Sequence, residues 1–131
     1  MINKKAKGTA GERELVHKFW KNGWACIRTA GSGSMKYPSP DLIAGNSIRK
    51  LAIECKVINS RVKYIKKAEI KELIEFSRKF GAESYVAVKF NDKNWYFLSI
   101  DDLNESEENY VINIELAKRK GLLFEEIIDN F

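Results

Sequence analysis

The sequence predicts an α/β domain in which helices flank a mixed central β-sheet. The chain has 131 residues, of which 44% are hydrophobic, and both values are typical of one compact domain with an ordinary core. Segments with helical periodicity and segments typical of strands follow one another in the order α-β-β-β-α-β-β. We therefore expect a single domain over residues 1–131.

The first helix is predicted over residues 9–22. Its apolar side chains fall on one stripe at helical spacing: Leu15, Val16, Phe19 and Trp20. Thr9 and Glu12 have the spacing of a capping box, and Gly23 stands where a helix ends. The only histidine, His17, is expected on the surface of this helix, without a Ser or Cys partner for a catalytic triad.

Three strands are predicted between this helix and the next. The first covers residues 24–30, and the Gly-, Ser- and Pro-rich loop 31–40 that follows is expected to be mobile without a ligand. A short apolar strand, 41–45, precedes a longer strand, 48–58. In this longer strand polar and apolar residues alternate, so Glu54 and Lys56 project from the same face.

The rest of the chain predicts a second helix, a hairpin and a tail. A polar, Lys-rich connection over 59–67 leads to the helix, which Gly81 ends and which carries one buried face: Ile70, Leu73, Ile74 and Ser77. Two strands and the hairpin turn between them follow, at 84–90, 95–100 and 91–94. The tail is expected to contain an acidic surface loop, a short strand and two short helices, at 101–109, 110–112, 115–120 and 124–128.

Charge is distributed unevenly along the chain. Residues 1–80 carry 18 basic and 7 acidic side chains, a net of +11, whereas residues 81–131 carry 5 and 11, a net of −6, which together give the formal charge of +5. This asymmetry favours a basic face that binds a polyanion, with phosphate as the candidate ligand. The alternative is a solvated, lysine-rich surface without a binding role.

The sequence also bears on compartment and cysteine chemistry. It contains no apolar run near the roughly 18 residues that cross a bilayer, and its basic N-terminal segment lacks an apolar signal core. We expect a soluble, cytoplasmic protein without a membrane partner. Cys26 and Cys55 lie in predicted strands, which favours buried, reduced thiols over a redox pair or a zinc site.

Four side chains form a candidate catalytic site: Glu12, Asp41, Glu54 and Lys56. Adjacent strands lie about 4.8 Å apart, so Asp41 at a strand start can approach Glu54 on the neighbouring strand. Two carboxylates and a backbone carbonyl, plausibly that of Cys55, can share a hard divalent cation such as Mg²⁺. Lys56 then lies on the face where a hydroxide is positioned or phosphate charge is stabilised.

Each of these residues also has a structural alternative. Glu12 can complete the capping box with Thr9, and Asp41 can be a polar residue after a Pro-rich turn. Glu54 and Lys56 can form the solvent face of an edge strand.

The Glu-x-Lys spacing alone carries no signal, because it occurs a second time, at Glu69 and Lys71. That second pair lies in a helical pattern, where residues two apart diverge by about 200° and cannot converge on one ion.

Six sequence blocks, taken together, resemble a known family. They are GTAGERELV at 8–16, RTAGSGS at 28–34, PDLIAG at 40–45, IECK at 53–56, LIEFSRKFG at 73–81 and VAVKF at 86–90. In this order they are similar to the archaeal Holliday junction resolvases, which belong to the PD-(D/E)XK nuclease superfamily. The resemblance covers about residues 7–100 and implies a restriction-endonuclease-like nuclease core.

The resemblance also implies roles for individual residues. Asp41 and Glu54 match the two metal-binding carboxylates, Lys56 matches the motif lysine, and Glu12 matches a helix glutamate that supports the metal site. DNA-phosphate contacts are implied for four residues: Arg13, Arg28, Ser32 and Lys89. Phe76 and Phe80 match aromatic positions of the second helix that are linked to the dimer surface.

The function that follows is a homodimeric, Mg²⁺-dependent endonuclease, in which Mn²⁺ can substitute, acting in homologous recombination and repair. It is expected to bind four-way DNA junctions by shape and backbone charge, and to cut them with symmetric paired nicks. One alternative is another nuclease with the same core, of restriction or repair type. A second alternative is a non-catalytic DNA-binding module that keeps the basic face.

Overall fold

The computed structural model describes residues 4–29 and 36–129, with side chains of the first helix described from residue 6 onwards. The four helices are α1 (Lys4–Lys21), α2 (Lys67–Phe80), α3 (Ile114–Lys120) and α4 (Phe124–Asp129). The first five strands are β1 (Ala25–Arg28), β2 (Leu42–Gly45), β3 (Lys50–Val57), β4 (Val62–Lys66) and β5 (Glu83–Lys89). The remaining strands are β6 (Trp95–Ser99), β7 (Asn104–Glu105) and β8 (Asn109–Asn113), with a 3₁₀ turn at Ile100–Asp102.

A five-stranded mixed sheet forms the centre of the fold, in the order β1-β2-β3-β5-β6. β3 and β5 are parallel, and the other neighbours are antiparallel. The parallel pair needs a crossover connection, which the chain supplies through α2. The predicted mixed sheet flanked by helices is therefore confirmed, with β3 at its middle.

Helix α1 covers one face of this sheet. Leu15 and Phe19 are fully buried in a core cluster with residues of β1, β2, β3, β6 and α4. The helix lies close to β3 at Gly11, where an added Cβ would stand 2.6 Å from Val57 Cγ2. Gly11 thus permits the close approach of α1 to the strand that carries Glu54 and Lys56.

Helix α2 covers the other face. Ile70 and Leu73 are buried in a second core cluster with Ala52, Val86 and Val88. The helix ends at Gly81, as predicted, with a left-handed φ of 85° and a bond from its N–H to the Ser77 carbonyl. This crossover places the first turn of α2 beside the C-terminal half of β3.

Three sequence-based expectations are corrected. Helix α1 begins at Lys4 rather than Thr9, because Lys4–Lys7 are good helix formers, so Thr9 and Glu12 lie inside the helix and form no capping box. β4 forms within the connection predicted to be irregular, and β7 forms within the predicted acidic loop. Both strands pair with β8 in a second, three-stranded sheet.

Cys26 and Cys55 are both free and buried, as predicted. Burial raises the pKa of the Cys26 thiol to about 12, so it is held as an unreactive thiol. His17 is exposed on α1, which confirms its expected place. Within residues 4–29 and 36–129, no helix has the length and apolar character that crossing a membrane requires.

Candidate functional site

Asp41 is fixed by its main chain between two strands. Its N–H donates to the Ile53 carbonyl of β3, and its carbonyl accepts from the N–H of Thr29, each at 3.0 Å. The buried residue Pro40 precedes it, and the Thr29 hydroxyl donates to the Pro40 carbonyl. The Asp41 side chain therefore starts from a rigid position at the end of β2.

The Asp41 carboxylate is aimed at β3. Its Oδ2 accepts a hydrogen bond from the Cys55 N–H at 2.9 Å. A strand residue directs its N–H and its C=O to the same neighbour, so the Cys55 carbonyl is also directed to the side on which Asp41 lies. This is the arrangement that the sequence predicted for the two strands.

Glu54 and Asp41 form a half-buried carboxylate pair. Burial, followed by the charge of Asp41, raises the pKa of Glu54 to about 8. Burial also raises the pKa of Asp41, although the bond from Cys55 opposes this rise. Two carboxylates that ionise reluctantly because they are buried together form a site that a cation would stabilise.

Lys56 lies on the same face as Glu54 and pairs with Glu69 of α2, at 3.0 Å between Nζ and Oε1. Burial alone would lower the pKa of Lys56, but the bond to Glu69 and the neighbouring carboxylates raise it. The same bond lowers the pKa of Glu69 against the effect of burial. The site therefore holds a fixed ammonium beside the carboxylate pair.

Glu69 is a site residue that sequence reasoning set aside. Its spacing to Lys71 cannot form a site, and the structure instead joins it to Lys56, 13 residues earlier. A signal was present, because Glu69 stands one turn before the buried Leu73 on the sheet-facing side of α2.

Glu12 is brought to the opposite side of the carboxylate pair, where it is bound to Arg28 of β1 at 2.9 Å. Burial is the main cause that raises the pKa of Glu12, and the charge of Asp41 adds to it, while the bond from Arg28 opposes both. Two ion pairs, Glu12–Arg28 and Lys56–Glu69, thus flank Asp41 and Glu54.

A polar cavity of about 260 Å³ opens beside Asp41, Glu54 and Lys56. Lys36 and Tyr37, from the segment before β2, line it together with Glu69 and Glu72 of α2. We call it the carboxylate cavity. It gives solvent, and molecules the size of a phosphate group, access to the carboxylate pair.

The other predicted DNA contacts lie outside the carboxylate cavity. Lys89 pairs with Glu14 of α1 at 2.6 Å, and its Nζ lies 5.7 Å from the centre of the Trp95 ring. Arg13 is exposed on α1. Ser32 lies outside the residues that the structure describes, as does most of the predicted loop 31–40.

The donors present fit a divalent cation such as Mg²⁺. Asp41 and Glu54 supply hard oxygen ligands, and the Cys55 carbonyl faces the same side. In the described part of the chain, no three His, Cys, Asp or Glu side chains form a complete metal cluster. A cation at this site would therefore take its other ligands from water or from a phosphate oxygen.

An apolar surface lies at the edge of the sheet, away from the carboxylate cavity. Phe76 and Phe80 of α2 stack at 5.2 Å, and Phe80 is 46% exposed. Trp20 of α1 and Ile27 of the edge strand β1, each 58% exposed, line an open cavity of about 880 Å³ with Phe80. We call this surface the apolar edge; its exposed aromatic side chains are typical of an interface.

Comparisons with known proteins agree with this geometry. The family model described as archaeal Holliday junction resolvase (Hjc) matches residues 3–131. The chain is 41% identical to the crossover junction endodeoxyribonuclease Hjc of Archaeoglobus fulgidus over 129 residues, covering 93% of this chain and 95% of that protein. It is 40% identical to the Hjc of Methanocaldococcus jannaschii over 128 residues, covering 98% and 91%.

Two solved structures are similar. That of A. fulgidus Hjc, described as a Holliday junction resolvase from an archaeal hyperthermophile, has a TM-score of 0.85 at 39% identity, covering 91% of this chain and 96% of that one. The bacterial homing endonuclease I-Ssp6803I has a TM-score of 0.54 at 15% identity, covering 87% and 76%. The second likeness concerns the fold alone, which is consistent with a restriction-endonuclease-like core.

Proposed function

The chain belongs to the archaeal Holliday junction resolvase family, and from this premise we propose that it resolves four-way DNA junctions by metal-dependent phosphodiester hydrolysis. Its role is in homologous recombination and repair, in the cytoplasm of an archaeal cell. The observation that carries this proposal is the Asp41–Glu54 carboxylate pair, with Lys56 fixed beside it in an open polar cavity.

The side chains divide the chemistry among them. Asp41, Glu54 and the Cys55 carbonyl would hold a Mg²⁺ ion, or Mn²⁺ in its place, with Glu12 supporting the site through water. A bound divalent ion lowers the pKa of an attacking water and stabilises negative charge on the phosphate. Lys56 positions the water or the phosphate oxygen from the α2 side. The water oxygen joins phosphorus, the bond to the 3′ oxygen breaks, and the proton ends on that oxygen, leaving 5′-phosphate and 3′-hydroxyl ends.

The DNA backbone is gripped by basic side chains around the site. Arg13 and Arg28 of α1 and β1 contact phosphates near the scissile bond, with Ser32, while Lys89 does so from β5. Support for Arg28 comes from its place: its bond to Glu12 fixes its guanidinium beside the carboxylate pair. Such contacts position the DNA without reading its sequence, as recognition by shape requires.

A homodimer assembled through the apolar edge gives the paired cuts a structural basis. Phe80, Trp20 and Ile27 expose enough apolar surface there to need a partner. A two-fold dimer relates its two active sites as the two cut strands of a four-way junction are related.

The decisive experiment incubates the purified protein with a labelled immobile four-way junction, and with a linear duplex of matched sequence, in Mg²⁺ or in EDTA. Symmetric paired nicks on the junction alone, abolished by EDTA, are expected. Cutting of the linear duplex would instead indicate another nuclease with the same core. Binding without any cutting in Mg²⁺ or Mn²⁺ would indicate a DNA-binding module.

A further inference from the structure

A groove leads away from the carboxylate cavity, over the C-terminal end of β3. It consists of two adjoining cavities of about 390 and 620 Å³, which share Lys7 of α1 and Asn59 as lining residues. The first cavity is also lined by Cys55 and Lys56, so the groove begins at the catalytic lysine. The second cavity reaches the turn between β5 and β6, at Lys93.

Lysines from separate elements line this groove, which we call the lysine groove. Lys7 comes from α1, Lys63 from β4, Lys89 from β5 and Lys93 from the turn after β5. Glu14 is the only acidic side chain among its lining residues, and Lys89 pairs with it. Lys7, Lys63 and Lys93 therefore leave an excess of positive charge, which a polyanion would neutralise.

Polar contacts hold the floor of the groove in place. The Lys7 ammonium donates to Asn59 Oδ1 at 2.9 Å, which connects α1 to the segment after β3. The Asn91 side-chain amide donates to the Asn59 carbonyl at 3.1 Å, which connects that segment to the β5–β6 turn. Three elements distant in sequence are thus joined into one continuous surface.

Gly8 gives a second, independent indication that a ligand approaches closely. It lies inside α1 and lines the groove beside Lys56. A glycine in a helix interior costs about 1 kcal/mol relative to alanine, and at Gly11 the packing of Val57 explains that cost. At Gly8 no described atom lies within 4 Å of the position of an added Cβ. Packing within the protein therefore does not require this glycine, whereas a ligand seated against α1 would.

We propose that the lysine groove binds the sugar–phosphate backbone of the junction arm that continues from the scissile phosphate, along α1 and past the end of β3. The inference rests on the proposed function of the adjoining site. A DNA backbone is favoured over a single phosphate ion because the lysines are spread along two cavities that lead from the catalytic lysine. Lys7, Lys63 and Lys93 contact successive phosphates, and Gly8 lets the backbone approach the helix.

The test measures how junction binding depends on salt. Lys7→Gln, Lys63→Gln, Lys93→Gln and the triple variant are compared with the wild type by fluorescence anisotropy, with EDTA present to prevent cutting. Each lost phosphate contact reduces the slope of log K against log salt by about 0.9, so the triple variant is expected to lose about 2.7. Lys120→Gln, an exposed lysine of α3 with the same charge change, is the control and should keep the wild-type slope.

A second variant tests shape without changing charge. Gly8→Gln places a neutral side chain in the groove and improves helix propensity, so we expect an unchanged or higher Tm and junction binding weakened by about tenfold. Wild-type slopes in all three lysine variants, or tight binding by Gly8→Gln, would overturn the proposal. Cutting by the wild type in Mg²⁺ is scored separately, so a failure of the lysine groove is distinguishable from a failure of the proposed catalytic site.

Discussion

Asp41 and Cys55 are joined by a hydrogen bond from a backbone N–H to a carboxylate oxygen, at 2.9 Å. Because the donor belongs to the main chain, the position of the carboxylate does not depend on the side chain at residue 55. The bond also fixes the Asp41 carboxylate beside Glu54, its neighbour across the strands. The geometry of the carboxylate pair is therefore built into the sheet itself.

Removing either carboxylate should abolish cutting and leave binding largely intact. For Asp41→Asn and Glu54→Gln we expect the single-turnover cleavage rate to fall by at least about a thousandfold, because loss of a metal ligand removes several kcal/mol of charge stabilisation. Junction affinity should stay within about threefold, since phosphate contacts supply most of it. Glu72→Gln, which changes a carboxylate of the same cavity, is the control. A folded variant that loses cutting and binding together would contradict the site.

Glu69 should act by positioning Lys56. We expect Glu69→Ala to lower the cleavage rate at saturating junction by about tenfold to a hundredfold, a range typical for a residue that supports a catalytic group. Glu69→Gln, whose amide oxygen can still accept from Lys56, should retain more activity. Glu72→Ala, one turn away, should cut like the wild type.

The Glu69 effect should also depend on Lys56. In a Lys56→Gln background, adding Glu69→Ala should produce no further loss in the residual rate, because residues that act as a unit are not additive. Equal losses from Glu69→Ala in both backgrounds would show that Glu69 acts through some other contact.

Glu54 should make stability depend on pH when no metal is present. Its pKa is about 8 in the folded protein, against an ordinary value of 4.5. The folded state therefore binds more protons between pH 4.5 and 8, and stability falls as pH rises through this window. Glu54→Gln removes this loss, so in EDTA its Tm should exceed that of the wild type at pH 8.5 by about 3 °C or more.

At pH 5 the Tm values of the wild type and Glu54→Gln should nearly coincide, because Glu54 is protonated in the folded wild type at that pH. Differential scanning calorimetry at the two pH values measures both differences. A Tm increase of the same size at pH 5 and pH 8.5 would mean that packing, rather than ionisation, separates the two proteins.

The apolar edge should hold the dimer together. Phe80→Glu places a charge at a half-exposed aromatic position of that surface, so we expect a monomer by analytical ultracentrifugation where the wild type sediments as a dimer. Paired nicking should become uncoupled into single nicks. Tyr64→Glu, at an exposed aromatic of β4 away from this edge, should remain dimeric. A dimeric Phe80→Glu protein would place the interface elsewhere.

Gly8 and Gly11 should respond in opposite ways to substitution by alanine. Gly8→Ala meets nothing within 4 Å and gains helix propensity, so the free energy of unfolding should rise by about 0.5 to 1 kcal/mol. Gly11→Ala would bring a Cβ within 2.6 Å of Val57 Cγ2 and 3.3 Å of the Trp95 ring, and should lower it by about 1 to 3 kcal/mol. Urea denaturation compares the two. Equal effects would contradict the close packing of α1 on β3.

Sequence patterns predicted those parts of the site that depend on one strand or on a short connection. Alternation placed Glu54 and Lys56 on one face of β3, and the short turn between β2 and β3 brought Asp41 beside Glu54. These relationships follow from the period of a strand and the spacing between neighbours. The family resemblance added Glu12, which periodicity alone assigned to a helix cap.

The contacts between distant elements were not predictable in this way. Glu69 reaches Lys56 only because the crossover lays the first turn of α2 beside β3, and Arg28 reaches Glu12 only because β1 is an edge strand under α1. β4 was missed because Ile65 is its only fully buried residue, and its hydrogen bonds come from β8, more than 40 residues later. Its formation is decided by that pairing rather than by its own pattern.

The two flanking ion pairs set the electrical state of the site. Glu12 with Arg28, and Lys56 with Glu69, each sum to zero, which leaves the two charges of ionised Asp41 and Glu54. A divalent cation cancels these charges, so the metal-loaded site no longer repels an approaching phosphate. Occupancy by metal and by DNA is then thermodynamically linked: each ligand strengthens binding of the other by the same factor.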